Sequence, residues 1–306
     1  MQASSQRTEQ VRLALMLILG VAAAAACVVT LLWWKAPAAS GQETTPTEPS
    51  FVVLCDFSLW AQVDPIYPSL PDQPPDQRYQ REFFGSTHPN PTATYAQLLA
   101  GDTNCDDPKD TARYWIPRVF WTDSSGTRAL TASITRFYYR LGEKSTNVTV
   151  KPHPAQLKID TERGKNVEWR CMNTGAWLTT PPAQCSNGKL VVRIKFPDCS
   201  NGKLDSLDHR SHMAYAQVPA NGGKATCPTS HPIPVPRLQT NVEFPIPPGT
   251  SGEVTLSTAS DTSGAYTTMH SAFFNAWSQA RLKYLVDRCI NAAPFTATNQ
   301  KPEECL

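Results

Sequence analysis

The chain contains no CxxC pair, no GxSxG elbow and no run of lysine or arginine, and each absence removes a class of function. Without CxxC, zinc ribbons and thioredoxin-like redox sites lose most of their support. Without the strained serine turn, serine-hydrolase chemistry of that type has no nucleophile. The net charge is +2 with Lys and Arg scattered, so neither a nucleic-acid footprint nor a polybasic lipid patch is visible, and nucleic acid is not an expected partner. Histidine is scarce too. There are six in 306 residues, and a third of them fall in one short segment.

Long apolar runs are absent except at the start. Residues 13–34 (LALMLILGVAAAAACVVTLLWW) carry no charge and are long enough to cross a hydrocarbon core of roughly 30 Å. Arg7 and Arg12 precede them, which orients residues 1–12 to the cytoplasm and the remainder outside. The segment reads as a membrane anchor. Its rivals are a cleaved signal peptide, for which Ala36-Pro37-Ala38 offers a cleavage pattern, and a lipoprotein through Cys27. All three place the bulk of the chain outside the cytoplasm: membrane-bound and single-pass with an anchor, secreted with a cleaved signal. Residues 35–50 are small, polar and proline-bearing, a flexible linker to a domain over 51–306.

Setting Cys27 aside leaves eight cysteines, an even count that suits a disulfide framework in an exported domain. Proximity in sequence suggests Cys55–Cys105, Cys171–Cys185, Cys199–Cys227 and Cys289–Cys305, out of 105 pairings.

The stretch 64–92 holds seven prolines and sustains neither a helix nor a central strand. A short helix is expected at 93–100. Short β-branched and aromatic runs between turn residues predict strands at 51–55, 114–121, 134–140, 146–151, 156–160, 166–171, 189–196, 211–217, 233–239, 241–246 and 253–257. Cys185–Leu190 and Cys199–Leu204 both read CSNGKL, two Asn-Gly turns. Phe273, Trp277, Ala280 and Tyr284 recur at helical spacing and predict one long helix over 269–290. The expected fold is all-β-dominated, β-sandwich or jelly-roll-like, with irregular Pro-rich loops, one C-terminal helix and an N-terminal transmembrane helix.

The densest polar chemistry lies in KLDSLDHRSHMAY, residues 203–215: Asp205, Asp208, His209, Arg210, His212 and Tyr215. This run, extended to FPDCSNGKLDSLDHRSHMAYA from Phe196, and CPTSHPIPVPRL from Cys227 resemble the exported domain-of-unknown-function family DUF1996. Weaker matches are FVVLCDFS at Phe51 with Asp64-Pro65-Ile66, FFG at Phe83, Tyr114-Trp115-Ile116-Pro117, Tyr138-Tyr139-Arg140 and MHSAFFNAW from Met269, so the likeness spans about 51–291. The family's members are exported bacterial and fungal proteins, sometimes joined to carbohydrate-binding modules, and it has no established activity. Its pattern has histidines where this chain has Leu59, Tyr79 and Arg81, and an acid where it has Ala272. The polar residues that survive include His231 and His270.

These residues admit several chemistries. On a strand, His209 and His212 face opposite sides, and the missing imidazoles remove further ligands, so no metal site and no cofactor are expected. Asp205 and Asp208 suit glycoside hydrolysis if Ser206-Leu207 turn, since two carboxyl groups must flank the bond. In a lyase, His212 or Tyr215 takes a proton beside a uronic carboxylate held by Arg210. Against all of these stands a buried polar network whose imidazoles simply satisfy one another. The catalytic candidates are therefore Asp205, Asp208, His209, His212 and Tyr215, and the ligand-binding candidates Arg210, His231 and His270. The leading expectation is a membrane-tethered domain that binds cell-envelope or extracellular polysaccharide. A carbohydrate-active hydrolase or lyase, degenerate in its histidines, and a scaffold for envelope proteins are the alternatives.

Overall fold

A computed structural model of the chain describes residues 49–58, 81–90, 92–144, 148–257, 265–292 and 300–305. All of them belong to one compact unit, Thr47–Leu306. The apolar segment 13–34, nearly all of the linker and most of the proline-rich stretch lie outside the described residues. Among the described residues no helix is long and apolar enough to cross a membrane.

The described chain is mostly strand. In order come β1 Ser50–Cys55, β2 Phe57–Ser58, β3 Arg81–Gly85, β4 Arg113–Pro117, β5 Val119–Asp123, β6 Gly126–Ala129, β7 Ile134–Arg140 and β8 Lys158–Asp160. There follow β9 Val167–Cys171, β10 Lys189–Lys195, β11 Cys199–Ser200, β12 Met213–Ala214, β13 Ile233–Pro234, β14 Arg237–Pro245, β15 Glu253–Leu256 and β16 Ala272–Phe274. They form two five-stranded sheets, β1-β7-β14-β10-β9 and β2-β3-β4-β16-β8, and two three-stranded ones, β12-β11-β13 and β15-β5-β6. Every ladder is antiparallel.

Alternation along the strands decides what is buried. In β7, Phe137 and Tyr139 point inward, and Phe137 stacks on Tyr114 of β4 at 3.7 Å between centroids while meeting the edge of Phe84 of β3 at 6.0 Å. The two large sheets therefore share a core. Within it the Trp277 indole N–H donates to Tyr139 at 2.9 Å, the Tyr139 and Tyr114 hydroxyls are 2.7 Å apart, and Tyr114 donates to Asp110 Oδ2 at 2.8 Å. Burial pushes the Asp110 carboxyl well above its ordinary value. This network has no exposed member and belongs to the frame.

All four disulfides join the cysteines paired by proximity: Cys55–Cys105, Cys171–Cys185, Cys199–Cys227 and Cys289–Cys305. They suit an oxidising compartment. In both CSNGKL copies the glycine takes positive φ and the Asn side chain accepts from the lysine N–H two residues on. The first copy closes the β9–β10 hairpin, and the second opens the loop from β11 to β12.

Five expectations need correction, the first being that the strands expected at 233–239 and 241–246 are the short Ile233–Pro234 and one continuous strand, Arg237–Pro245. The stretch 114–121 is two strands, because Pro117 ends β4 and the chain then joins another sheet as β5. The expected strand at 211–217 shrinks to Met213–Ala214 and that at 146–151 is not a strand over its described residues, 148–151. The expected helix 269–290 begins only at Gln279 and runs as an α-helix to Leu285, then as a π-helical turn Val286–Ile290. Its first part is β16, wedged between β4 and β8, so Phe273 and Trp277 are buried by tertiary pairing while Tyr284 stays exposed. A helical spacing was coincidental there, and tertiary pairing overrode it. The short helix expected at 93–100 is present as Tyr95–Leu99, closed by a Thr94–Gln97 capping box.

Candidate functional site

The register of the second large sheet makes one mixed face. Phe83, Trp115, Ala272 and Asp160 stand opposite one another across β3, β4, β16 and β8. Their neighbours Phe84, Tyr114, Phe273 and Ile159 fill the core, so this row points the other way. Arg81, two residues before Phe83, stacks its guanidinium 4.0 Å over the Trp115 ring, and His270 meets the same ring edge-on at 5.1 Å. The face combines cations, a carboxylate and an aromatic surface.

The segment 203–215 docks on the β8 edge of this face. The Lys158 and Asp160 N–H groups donate to the carbonyls of Leu204 and His209 at 3.0 and 2.8 Å. Local bonds then fold the segment into a turn, with His209 at positive φ. Asp205 Oδ1 bonds the His209 ring at 2.6 Å and accepts from the Ser206 N–H, and its Oδ2 lies 3.4 Å from Lys158 Nζ. Partial burial opposes ionisation of Asp205, but the bonds from His209 and Ser206 outweigh it and hold the carboxyl below its usual range. Asp208 Oδ1 accepts from the Ser211 N–H at 2.9 Å, the Ser206 hydroxyl at 2.7 Å and the Arg210 N–H at 3.1 Å. Those donors keep it ionised far below the ordinary carboxylate value.

The histidines divide. His212 is fully buried, with Nδ1 2.9 Å from the Ser206 hydroxyl and Nε2 facing the Lys158 carbonyl without a well-aligned bond. Burial lowers its pKa. His231 donates from Nε2 to the Ser211 carbonyl at 3.1 Å and braces the turn from behind. His270 donates from Nδ1 to the Thr268 carbonyl at 2.8 Å, and burial lowers its pKa to about 4. The four do not gather into a ligand set. Among the described residues, the one group at metal-ligand spacing is Cys55, Cys105 and Asp110, whose cysteines are already joined in a disulfide.

Asp160 is the residue that sequence reasoning missed. Burial raises its carboxyl to about 6, against the fields of His209, Arg81 and Arg210. It borders a solvent-open cavity of about 410 Å³ with Glu162, Asp208, Arg210, Ser211 and Tyr215, closed by Pro197 and Met213. The Tyr215 hydroxyl donates to the Lys195 carbonyl at 3.0 Å, and burial pushes its pKa up to about 12. Of the sequence candidates, Asp208, Arg210 and Tyr215 line the cavity directly. Asp205, His209 and His212 hold the turn that forms one wall, while His231 and His270 lie behind it and beside it.

The model of one family, a domain of unknown function (DUF1996), matches residues 64–277. The chain belongs to that family. The match covers the face, the 203–215 turn and the cavity of this DUF1996 domain. No curated protein and no solved structure matches the chain.

Proposed function

We propose that this DUF1996 protein is a membrane-tethered extracytoplasmic module that binds cell-envelope or extracellular polysaccharide in the cleft beside the 203–215 turn. The cavity carries this reading. Its carboxylates, guanidinium and hydroxyls suit sugar hydroxyl groups, while Pro197 and Met213 offer apolar contact to a ring's C–H face. The disulfides and the apolar segment 13–34 support export and tethering. The two large sheets act as a sandwich-type frame for the cleft.

The test is retention of full-length protein, in mild detergent, on immobilised envelope and extracellular polysaccharides. The expected result is retention on at least one polymer, about tenfold weaker (about 1.4 kcal/mol) for Ser211→Trp, which fills the cavity from an exposed position, with both proteins compared at a temperature where each is folded. No retention on any polymer removes the reading.

One observation favours hydrolysis as a second reading. Asp160 and Asp208 border the same cavity in environments that drive their protonation apart, as an acid and its charged partner require. The same incubations decide it: reducing ends released by the parent and not by Asp160→Asn establish hydrolysis, and their absence leaves binding.

A further inference from the structure

One buried pair of reactive groups takes no part in the cleft. Lys144, just past the end of β7, sends its side-chain nitrogen into contact with Asp198 Oδ2, just before β11. The two side chains are 1% and 3% exposed, so water solvates neither group. Both backbones are fixed. Lys144 bridges to Ala225, while Asp198 bonds Ala214 and Val235 and precedes Cys199, itself joined to Cys227. Gly142, at positive φ, lays bare backbone over the pair. A Cβ there would stand 2.8 Å from Asp198 Oδ2, 3.3 Å from Lys144 Nζ and 3.5 Å from the Arg237 guanidinium carbon. Lys144 Nζ also donates to the Leu141 carbonyl at 3.2 Å, and Asp198 Oδ1 accepts from the Ala216 N–H at 2.8 Å. Two charges held out of water cost free energy that an uncharged amide does not. An amine fixed against a carboxyl in a dry pocket reacts without the entropy cost of an encounter.

We infer that Lys144 and Asp198 become joined by an intramolecular isopeptide bond. The step is a condensation and needs no oxidant, reductant or cofactor. A proton passes from Nζ to Oδ2, and the freed lone pair attacks Cγ as the carbonyl electrons move onto Oδ1. The Ala216 N–H donates to Oδ1 where negative charge builds, with the Arg237 cation close by. A second Nζ proton then moves to Oδ2, the Cγ–Oδ2 bond breaks, water leaves and the carbonyl re-forms. Of the three protons on the ammonium, one stays on the amide and two leave as water. The bond spans a sequence separation of 54 and ties the end of β7 to the entry of the β12-β11-β13 sheet. It fixes the residue next to Pro197 of the cleft wall, and a reductant that opens the four disulfides leaves it intact.

The test is a tryptic peptide map of the full-length folded protein, reduced and alkylated, for the parent and for Lys144→Arg. Trypsin cuts after a free lysine at 144 and not after an amide. The parent is expected to give a branched peptide, residues 141–158 joined to 196–203, lighter than its two parts by one water. The linear peptides 141–144 and 196–203 are correspondingly lost. Lys144→Arg keeps the cation but offers no primary amine, and is expected to release 196–203 free. A parent digest that is cut after residue 144, with 196–203 free and no branched product, overturns the inference and leaves an ordinary buried ion pair. A branched peptide that persists in Lys144→Arg also overturns it, by moving the link to another residue.

Discussion

Burial sets the protonation of several single residues against their ordinary values, and pH reads the result. Glu82 of β3 is buried, which raises its carboxyl to about 8 despite the Arg118 field and a bond from the Val119 N–H. Below its ordinary value of 4.5 it is protonated whether folded or not. As pH rises, the unfolded chain releases the proton first, and stability is lost until the native group ionises near 8. His153 and His270 act in the opposite sense. Both are lowered to about 4 by burial, so their stability contribution is present above 6.5 and lost as pH falls toward 4. Glu82→Gln removes the alkaline part alone. Its melting temperature is expected to match the parent at pH 4.5 and to exceed it by a widening margin up to pH 8. A margin that does not change with pH contradicts this assignment.

Residues also show what a sequence hides. The 203–215 cluster was legible because its members are neighbours and bond one another locally. Asp160 carries no local signal, being one acid at the end of a three-residue strand. Its role comes from a register that aligns residues 83, 115, 160 and 272, which only the folded sheet brings together.

Among elements, hairpins and their closures were the most readable. Three of the four disulfides join cysteines separated by 14, 16 and 28 residues, so proximity alone found them, and the β9–β10 hairpin is pinned at its loop end. The C-terminal helix was misread because Phe273 of β16 and Trp277 just beyond it stand at helical spacing, while β16 bonds on both edges as a strand and Trp277 bridges to Asp110. Cys171–Cys185 closes a loop with a sequence separation of 14. Replacing both cysteines by serine is expected to cost about 3 kcal/mol by the loop-entropy relation, read as a lowered denaturant midpoint. Neither cysteine lines the cavity, so polysaccharide retention by the still-folded variant is expected to equal the parent's. A retention loss at conditions where the variant is folded assigns that hairpin a part in binding.

For the molecule as a whole, the sequence pointed to a mostly β exported domain, and the described residues form several antiparallel sheets with one C-terminal helix. Which sheet carries the cleft was not legible, since that depends on which side of β3, β4, β8 and β16 the other large sheet, β1-β7-β14-β10-β9, covers. The covered side became core. On the other side Phe83 and Ala272 are buried, while Trp115 and Asp160 stay half-buried and the 203–215 turn docks on the β8 edge.

The central claim is that ligand binds in the cleft beside the 203–215 turn, and hydrogen exchange tests it most directly. With the full-length protein saturated by a retained oligosaccharide, amide exchange is expected to slow at 160–162 and 208–215, with β9 and β10 unchanged. Slowing confined to β9 and β10, or absent everywhere under saturation, contradicts the account.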